Sequence, residues 1–152
     1  MRYSKKRYVG IIALVIVLGF IFVNSMFDWN TSMIISELPK KLVYSFVSYG
    51  DYKWLDNFVI HQIRGFTHFF EFFVLGLIVI KVYLFKEFNF QRFINAFFLC
   101  FAVALLDETI QIFNDRHARV FDIWIDLLGV VVACFLFILA LGIKNRISKK
   151  DS

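Results

Sequence analysis

The stretch "FINAFFLCFAVALLDETIQIF", Phe93 to Phe113, decides the class of fold. Its first two thirds are almost entirely apolar, and about 20 such residues in a helix cross the hydrocarbon core of a bilayer. Asp107, Glu108 and Gln111 then follow inside the same stretch. Acids are costly to bury in an apolar environment without partners. The stretch therefore predicts a transmembrane helix whose polar end has to be stabilised by other parts of the chain.

The composition supports a membrane protein. Of the 152 residues, 60% are hydrophobic, and the mean hydropathy is +0.70. Soluble domains average about 45–50% apolar residues. The formal net charge of +5 comes mostly from basic residues that flank apolar runs, with no recognition module between them, so we expect no nucleic-acid partner. Cys100 and Cys134 lie inside apolar runs, where we expect them to act as small hydrophobic residues.

Four apolar runs predict an all-α fold, an integral membrane bundle of four transmembrane helices in a single domain. The predicted spans cover residues 8–27, 65–85, 93–113 and 120–143. The first run follows the basic segment "RYSKKR", as a signal peptide would. No small-residue cleavage site follows it, which favours a retained helix.

The distribution of Lys and Arg predicts the orientation of the bundle. Basic residues concentrate before the first span, around the connection between the second and third spans, and in the tail 144–152. The positive-inside rule places all three regions, and so both termini, on the cytoplasmic side of the membrane. Residues 28–64 and 114–119 then face outside.

The first outer segment contains two amphipathic stretches. "MIISELPKKLVYSFV" has Pro39 in a position that suits the first turn of a helix. "DYKWLDNFVIHQIR" spaces Trp54, Leu55, Phe58 and Val59 at nearly helical intervals. Two interpretations remain open: short helices that lie flat at the outer interface, or a helical cap packed on the bundle.

Ionisable residues recur at the outer ends of three spans. Arg64, His68 and Glu71 stand at i, i+4 and i+7 and share one helix face. Asp107, Glu108 and Gln111 end the third span, and the fourth begins with Asp122 and Asp126 at i, i+4. The short turn between these spans adds Arg116 and Arg119.

The three deepest carboxylates are predicted to lie at one level. Glu71, Asp107 and Asp126 each stand about six residues inside the outer end of a helix, or roughly 9 Å at 1.5 Å per residue. Ionisable residues in membranes usually face the bundle interior and mark a functional site. The alternative interpretation is a structural network that holds the helices together.

Several chemical interpretations of this cluster remain open. His68 and Glu71 can ligate a metal together with Asp107 or Asp126. Alternatively, a carboxylate acts as acid or base while arginines hold a phosphate-bearing head group. A Ser/His/Asp mechanism is not expected, because no serine is predicted to lie near the cluster. The candidate catalytic residues are His68, Glu71, Asp107, Glu108 and Asp126.

The same residues carry a resemblance to the VanZ-like family. That family's pattern has His then Glu at the start of one span, Asp-Glu-x-x-Gln at the end of the next, Arg in the turn, and Asp-x-x-x-Asp leading to Gly. The matching positions here are His68, Glu71, Asp107, Glu108, Gln111, Arg116, Asp122, Asp126 and Gly129. The resemblance covers residues 64–133. Phe72 stands where the family usually has Tyr, and the turn reads "NDR" instead of Pro-Gly-Arg.

The resemblance implies a bacterial inner-membrane protein associated with resistance to teicoplanin-type lipoglycopeptides. Membrane lipid, a lipid-linked cell-wall precursor or a lipoglycopeptide would be its partner. An enzyme that modifies a lipid-linked phosphate or peptidoglycan precursor is the alternative. The sequence does not identify a cofactor, a metal or the oligomeric state. The expected ligand-binding residues are Arg64, His68, Glu71, Asp107, Glu108, Gln111, Arg116, Asp122 and Asp126.

Overall fold

The computed structural model describes residues 2–27, 41, 45, 53–83, 89–114 and 119–150. Four helices account for nearly all of these residues: α1 (Arg2–Ser25), α2 (Lys53–Tyr83), α3 (Phe90–Phe113) and α4 (Val120–Lys150). All four are long and apolar enough to cross a membrane, over Tyr8–Ser25, Gln62–Tyr83, Phe90–Phe113 and Val120–Ile143. The predicted all-α bundle of four spans is confirmed.

The helix ends differ from the predicted ends mainly at the start of α2. This helix begins at Lys53 and continues without a break through the span. The stretch "DYKWLDNFVIHQIR" therefore joins the second span as its helical extension from residue 53 onwards. Pro39 and its predicted helix turn, within residues 28–40, lie outside the described residues.

Local signals define both ends of α3. Asn89 precedes the helix in an extended conformation, and its side chain accepts a hydrogen bond from the backbone N–H of Arg92 at 3.1 Å. This is the usual role of an N-cap residue, which satisfies one of the free N–H groups of the first turn. At the other end, the backbone N–H of Asn114 donates to the carbonyl oxygen of Gln111.

The most extensive helix contact is between α2 and α4, while α1 packs on α2 and α3. Apolar side chains from all four helices form the core: Ile21, Phe72, Leu75, Val79, Ile80, Ala96, Cys100, Val103, Ala104, Val130, Ala133 and Cys134. Both cysteines are free and buried, as predicted. Phe72 is fully buried in this core, so the side chain at the position of the family's usual Tyr is an apolar packing residue.

Glycine allows α2 and α4 to approach closely. A Cβ atom at Gly129 would lie 2.4 Å from the carbonyl oxygen of Phe69 and 2.9 Å from the backbone N of Phe73. One at Gly76 would lie 3.0 Å from the Cβ of Ala133. Small residues at such positions are a common device in membrane helices, because they increase van der Waals contact between backbones.

We predict that Gly129→Ala destabilises the bundle, because the added methyl group meets backbone atoms that cannot rotate away. The expected loss is about 1–3 kcal/mol in the free energy of unfolding, the usual range for overpacking a core. The measurement is denaturant unfolding in mixed micelles. Gly142→Ala is the matched control, since no atom of the described residues lies within 4 Å of a Cβ there. Equal stability of the two variants would contradict the close crossing.

Candidate functional site

One end of the bundle holds a buried group of polar side chains, which we call the polar cluster. It contains residues from all four helices and the residue just before α4: Asn24, Ser25, Arg64, His68, Glu71, Asp107, Glu108, Gln111, Arg119, Asp122 and Asp126. Seven of these side chains are buried: Ser25, His68, Asp107, Glu108, Gln111, Asp122 and Asp126. The predicted convergence of polar residues from the second, third and fourth spans is present.

His68 lies between carboxylates of two other helices. Its Nδ1 atom is 3.0 Å from Oδ1 of Asp126 on α4 and 3.7 Å from Oδ2 of Asp107 on α3. All three side chains are nearly or fully buried, with relative exposures of 4%, 0% and 2%. The imidazole thus connects α2 to both neighbours through short polar contacts in an apolar environment, where such contacts are screened least.

Asp107 is held by side chains from two helices. Gln111 donates from Nε2 to its Oδ2 at 3.0 Å, one turn further along α3. Ser25 of α1 donates to its Oδ1, and the same hydroxyl is 2.8 Å from the carbonyl oxygen of Ile21.

The presence of Ser25 corrects one expectation, because a serine does lie in the cluster. Sequence proximity did not indicate this contact, because Ser25 is more than eighty residues from Asp107 along the chain. The Ser25 hydroxyl is hydrogen-bonded to Asp107 and to the backbone of Ile21. A nucleophilic serine instead requires its hydroxyl within hydrogen-bond reach of the histidine.

Asp122 holds two arginines at the edge of the cluster. Its carboxylate is 2.9 Å from Nη2 of Arg64 and 3.2 Å from Nη2 of Arg119. Arg64 also donates to Oε1 of Gln111 at 2.8 Å, and the backbone N–H of Arg119 donates to Oε2 of Glu108 at 3.0 Å. Arg64 is largely buried, with 9% of its side chain exposed, whereas 34% of the Arg119 side chain is exposed.

Glu71 is hydrogen-bonded to α1. Its Oε1 accepts a hydrogen bond from Nδ2 of Asn24 at 2.7 Å. Two sets of possible metal ligands occur among the described residues: His68 with Asp107 and Asp126, and His68 with Glu108 and Asp122. Glu71 belongs to neither set, so the pairing of His68 with Glu71, one of the interpretations left open by the sequence, is not among them.

Three buried polar atoms have no hydrogen-bond partner among the described residues. They are Nε of Arg64, Oε1 of Glu108 and Oδ2 of Asp126. Leaving a buried donor or acceptor unpaired costs roughly 1–3 kcal/mol. Two of the three are carboxylate oxygens, so what the cluster lacks most is positive charge or a donor.

The sequence analysis missed the contribution of α1. Asn24 and Ser25 are an adjacent polar pair at the end of an otherwise apolar span. An antiparallel four-span bundle brings that end beside the acids of the other helices, so this pair was a usable signal. Arg116, predicted as an anion-binding residue, lies outside the described residues.

The helices and the cluster define a multi-pass membrane protein with a buried ionisable network at one end of its spans. Comparison with protein families identifies the family of this membrane protein. The VanZ/LLP1 family model matches residues 10–141, and the chain belongs to this family. The match extends well beyond the motifs over residues 64–133 and includes most of α1. Searches of curated proteins and of solved structures found no match.

The two arginines differ in burial, and this leads to a prediction about stability. Arg64→Ala removes the buried cation that pairs with Asp122 and donates to Oε1 of Gln111, and breaking a buried ion pair typically costs about 3–5 kcal/mol. Arg119→Ala removes a half-exposed partner of the same carboxylate, and such pairs contribute no more than about 1 kcal/mol. Denaturant unfolding in mixed micelles measures the loss in free energy of unfolding for each variant. Equal losses would show that Arg64 stabilises the network no more than Arg119 does.

Proposed function

We propose that this VanZ/LLP1-family protein acts at the outer leaflet of the bacterial cytoplasmic membrane. Its target is an envelope lipid or a lipoglycopeptide, and its action contributes to resistance to teicoplanin-type glycopeptides. The observation that carries the proposal is the polar cluster itself. Ionisable residues within membrane-spanning helices are expensive and by default mark a functional site, and this cluster contains five carboxyl groups from three helices: Glu71, Asp107, Glu108, Asp122 and Asp126.

The proposed orientation follows from the basic residues of the chain. They cluster at the two termini and at the connection between α2 and α3, regions that the positive-inside rule assigns to the cytoplasm. The polar cluster lies at the opposite end, where α1 and α3 finish and α4 begins. With both termini in the cytoplasm, the cluster faces the outer leaflet, where glycopeptides meet the precursors of the cell wall.

Arg119 is the described cation best placed to meet an anionic group. A guanidinium matches carboxylate and phosphate groups with paired donors, and a third of this side chain is exposed. Arg64 is instead enclosed by Asp122 and Gln111. We therefore assign Arg119 to the ligand and Arg64 to the support of the site; Arg116, in the same turn, is the second candidate.

The proposal predicts that Asp107→Asn and Asp126→Asn abolish resistance. Each variant keeps the size of the side chain but removes the charge beside His68. Teicoplanin resistance of cells that express each variant should fall to the level of cells without the protein, while the amount of protein in the membrane stays normal. Thr109→Val is the matched control, since Thr109 is exposed on the same helix and donates to its own backbone at Leu105. Full resistance in both Asp variants would refute the proposal.

An intramembrane enzyme is the second candidate function. The observation that favours it is His68 between two buried carboxylates, one of which, Asp126, has an oxygen without a hydrogen-bond partner among the described residues. A histidine oriented by a carboxylate is a common acid–base arrangement. The substrate would be a lipid-linked phosphate or peptidoglycan precursor, modified by acid–base or metal chemistry.

Mass spectrometry of lipid-linked precursors, incubated with the purified protein, tests the enzyme. We expect a product of changed mass with the wild-type protein and none with His68→Gln. Loss of the product on adding a chelator would assign the reaction to metal chemistry, and its persistence would assign it to the carboxylates. An unchanged substrate pool with the wild-type protein would reject catalysis on these precursors.

A further inference from the structure

We propose that His68, Asp107 and Asp126 form a binding site for a divalent transition-metal ion, for which Zn²⁺ is the best match. One imidazole nitrogen and two carboxylate oxygens are ligands that Zn²⁺ accepts readily. The site rests on the same cluster as the proposed function and deepens it. Metal binding is nevertheless measurable on the purified protein without any resistance assay.

The distances between the three side chains suit a shared ion. One potential ligand atom from each lies within 4.8 Å of the other two. In a tetrahedral zinc site with bonds of about 2.0–2.1 Å, two ligand atoms are about 3.3 Å apart. The Nδ1 atom of His68 is 3.0 Å from Asp126 and 3.7 Å from Asp107. Both distances are within about 0.4 Å of the spacing expected in such a site.

The charge of the cluster favours a cation at this position. Two buried carboxylates, those of Asp107 and Asp126, flank the single imidazole of His68. Oδ2 of Asp126 is fully buried and has no hydrogen-bond partner there. A divalent ion bound to neutral His68 neutralises both carboxylates and gives the unpaired oxygen a partner.

Neighbouring side chains orient Asp107 in the way that metal ligands are usually oriented. Ligating carboxylates in metal sites commonly accept hydrogen bonds from surrounding side chains, which fix their direction. Gln111 and Ser25 donate to the two different oxygens of Asp107. An oxygen that accepts one hydrogen bond still has a lone pair for an ion.

The second possible set, His68 with Glu108 and Asp122, is less suitable. Asp122 already contacts the guanidinium groups of Arg64 and Arg119 at 2.9 and 3.2 Å. A divalent cation on this carboxylate would lie beside two positive charges and be repelled by both. The ion is therefore assigned to the Asp107 and Asp126 side of the imidazole.

The first experiment measures zinc content. The full-length protein is purified in detergent through an affinity tag that contains no histidine, equilibrated with Zn²⁺, and desalted before elemental analysis. We expect about one zinc ion per chain, since the three ligands form a single site. Less than a tenth of that amount in the wild-type protein would overturn the proposal and leave a metal-free His68 ion pair.

Matched variants then locate the ion. His68→Gln and Asp126→Asn should lower zinc affinity by more than about tenfold, because even the loss of a residue that only orients a ligand costs about 10–100-fold. Glu71→Gln and Cys100→Ala should retain the zinc affinity. Glu71 is a carboxylate of the polar cluster, and Cys100 carries a buried thiol, but neither is one of the three proposed ligands. Zinc retained without His68, or lost with Cys100→Ala, would overturn the assignment.

X-ray absorption at the zinc edge tests the wild-type protein without relying on any variant. The expected spectrum has nitrogen and oxygen ligands at about 2.0–2.2 Å, including an imidazole. A sulfur ligand at about 2.3 Å would place the ion on a cysteine and refute the site. Zinc analysis and X-ray absorption do not depend on the resistance phenotype. Failure of zinc binding and failure of the proposed function therefore give separate results.

Discussion

The close crossing of α2 and α4 determines where the polar groups of this protein meet. At Gly129 the backbone of α4 lies against the backbone of α2 at Phe69. Phe69 directly follows His68, and Gly129 stands about one turn after Asp126. The 3.0 Å contact between the imidazole and this aspartate therefore belongs to the same crossing. A short side chain such as Asp spans the gap between helices because glycine has brought the backbones together.

The distribution of charge within the cluster is uneven, and this separates two kinds of chemistry. Both described arginines of the cluster contact Asp122 at the edge. Asp107 and Asp126 lie on either side of His68 in the interior. Burying carboxylates in an apolar region is costly unless a cation or a proton compensates their charge. The edge is therefore suited to an anionic group and the interior to a cation or proton.

Helical periodicity and topology were sufficient to predict much of the fold and part of the site. The four spans follow from runs of apolar residues. Similar depth in adjacent helices predicted that Glu71, Asp107 and Asp126 lie at one level, and a shared helix face added His68 to the same end of the bundle. Depth alone could not place Glu71, which is about 60° around the helix from His68 at 100° per residue and contacts Asn24 of α1. Rotation of each helix about its axis is fixed by packing, here by glycine contacts that only the three-dimensional structure shows.

The role of α1 was not predictable from the motif residues, and it changes how the site is understood. This helix contributes a hydroxyl to Asp107 and an amide to Glu71, so it packs against the cluster beside α2 and α3. Its remaining surface is largely exposed within the monomer, as expected for a span that faces lipid. In the proposed arrangement, a lipid-borne ligand reaches Arg119 from the membrane surface, while α1 keeps hydrocarbon chains away from the carboxylates. An ion at His68 would then lower the negative potential that opposes an anionic ligand, so occupancy of the inner site and binding at the edge would favour each other.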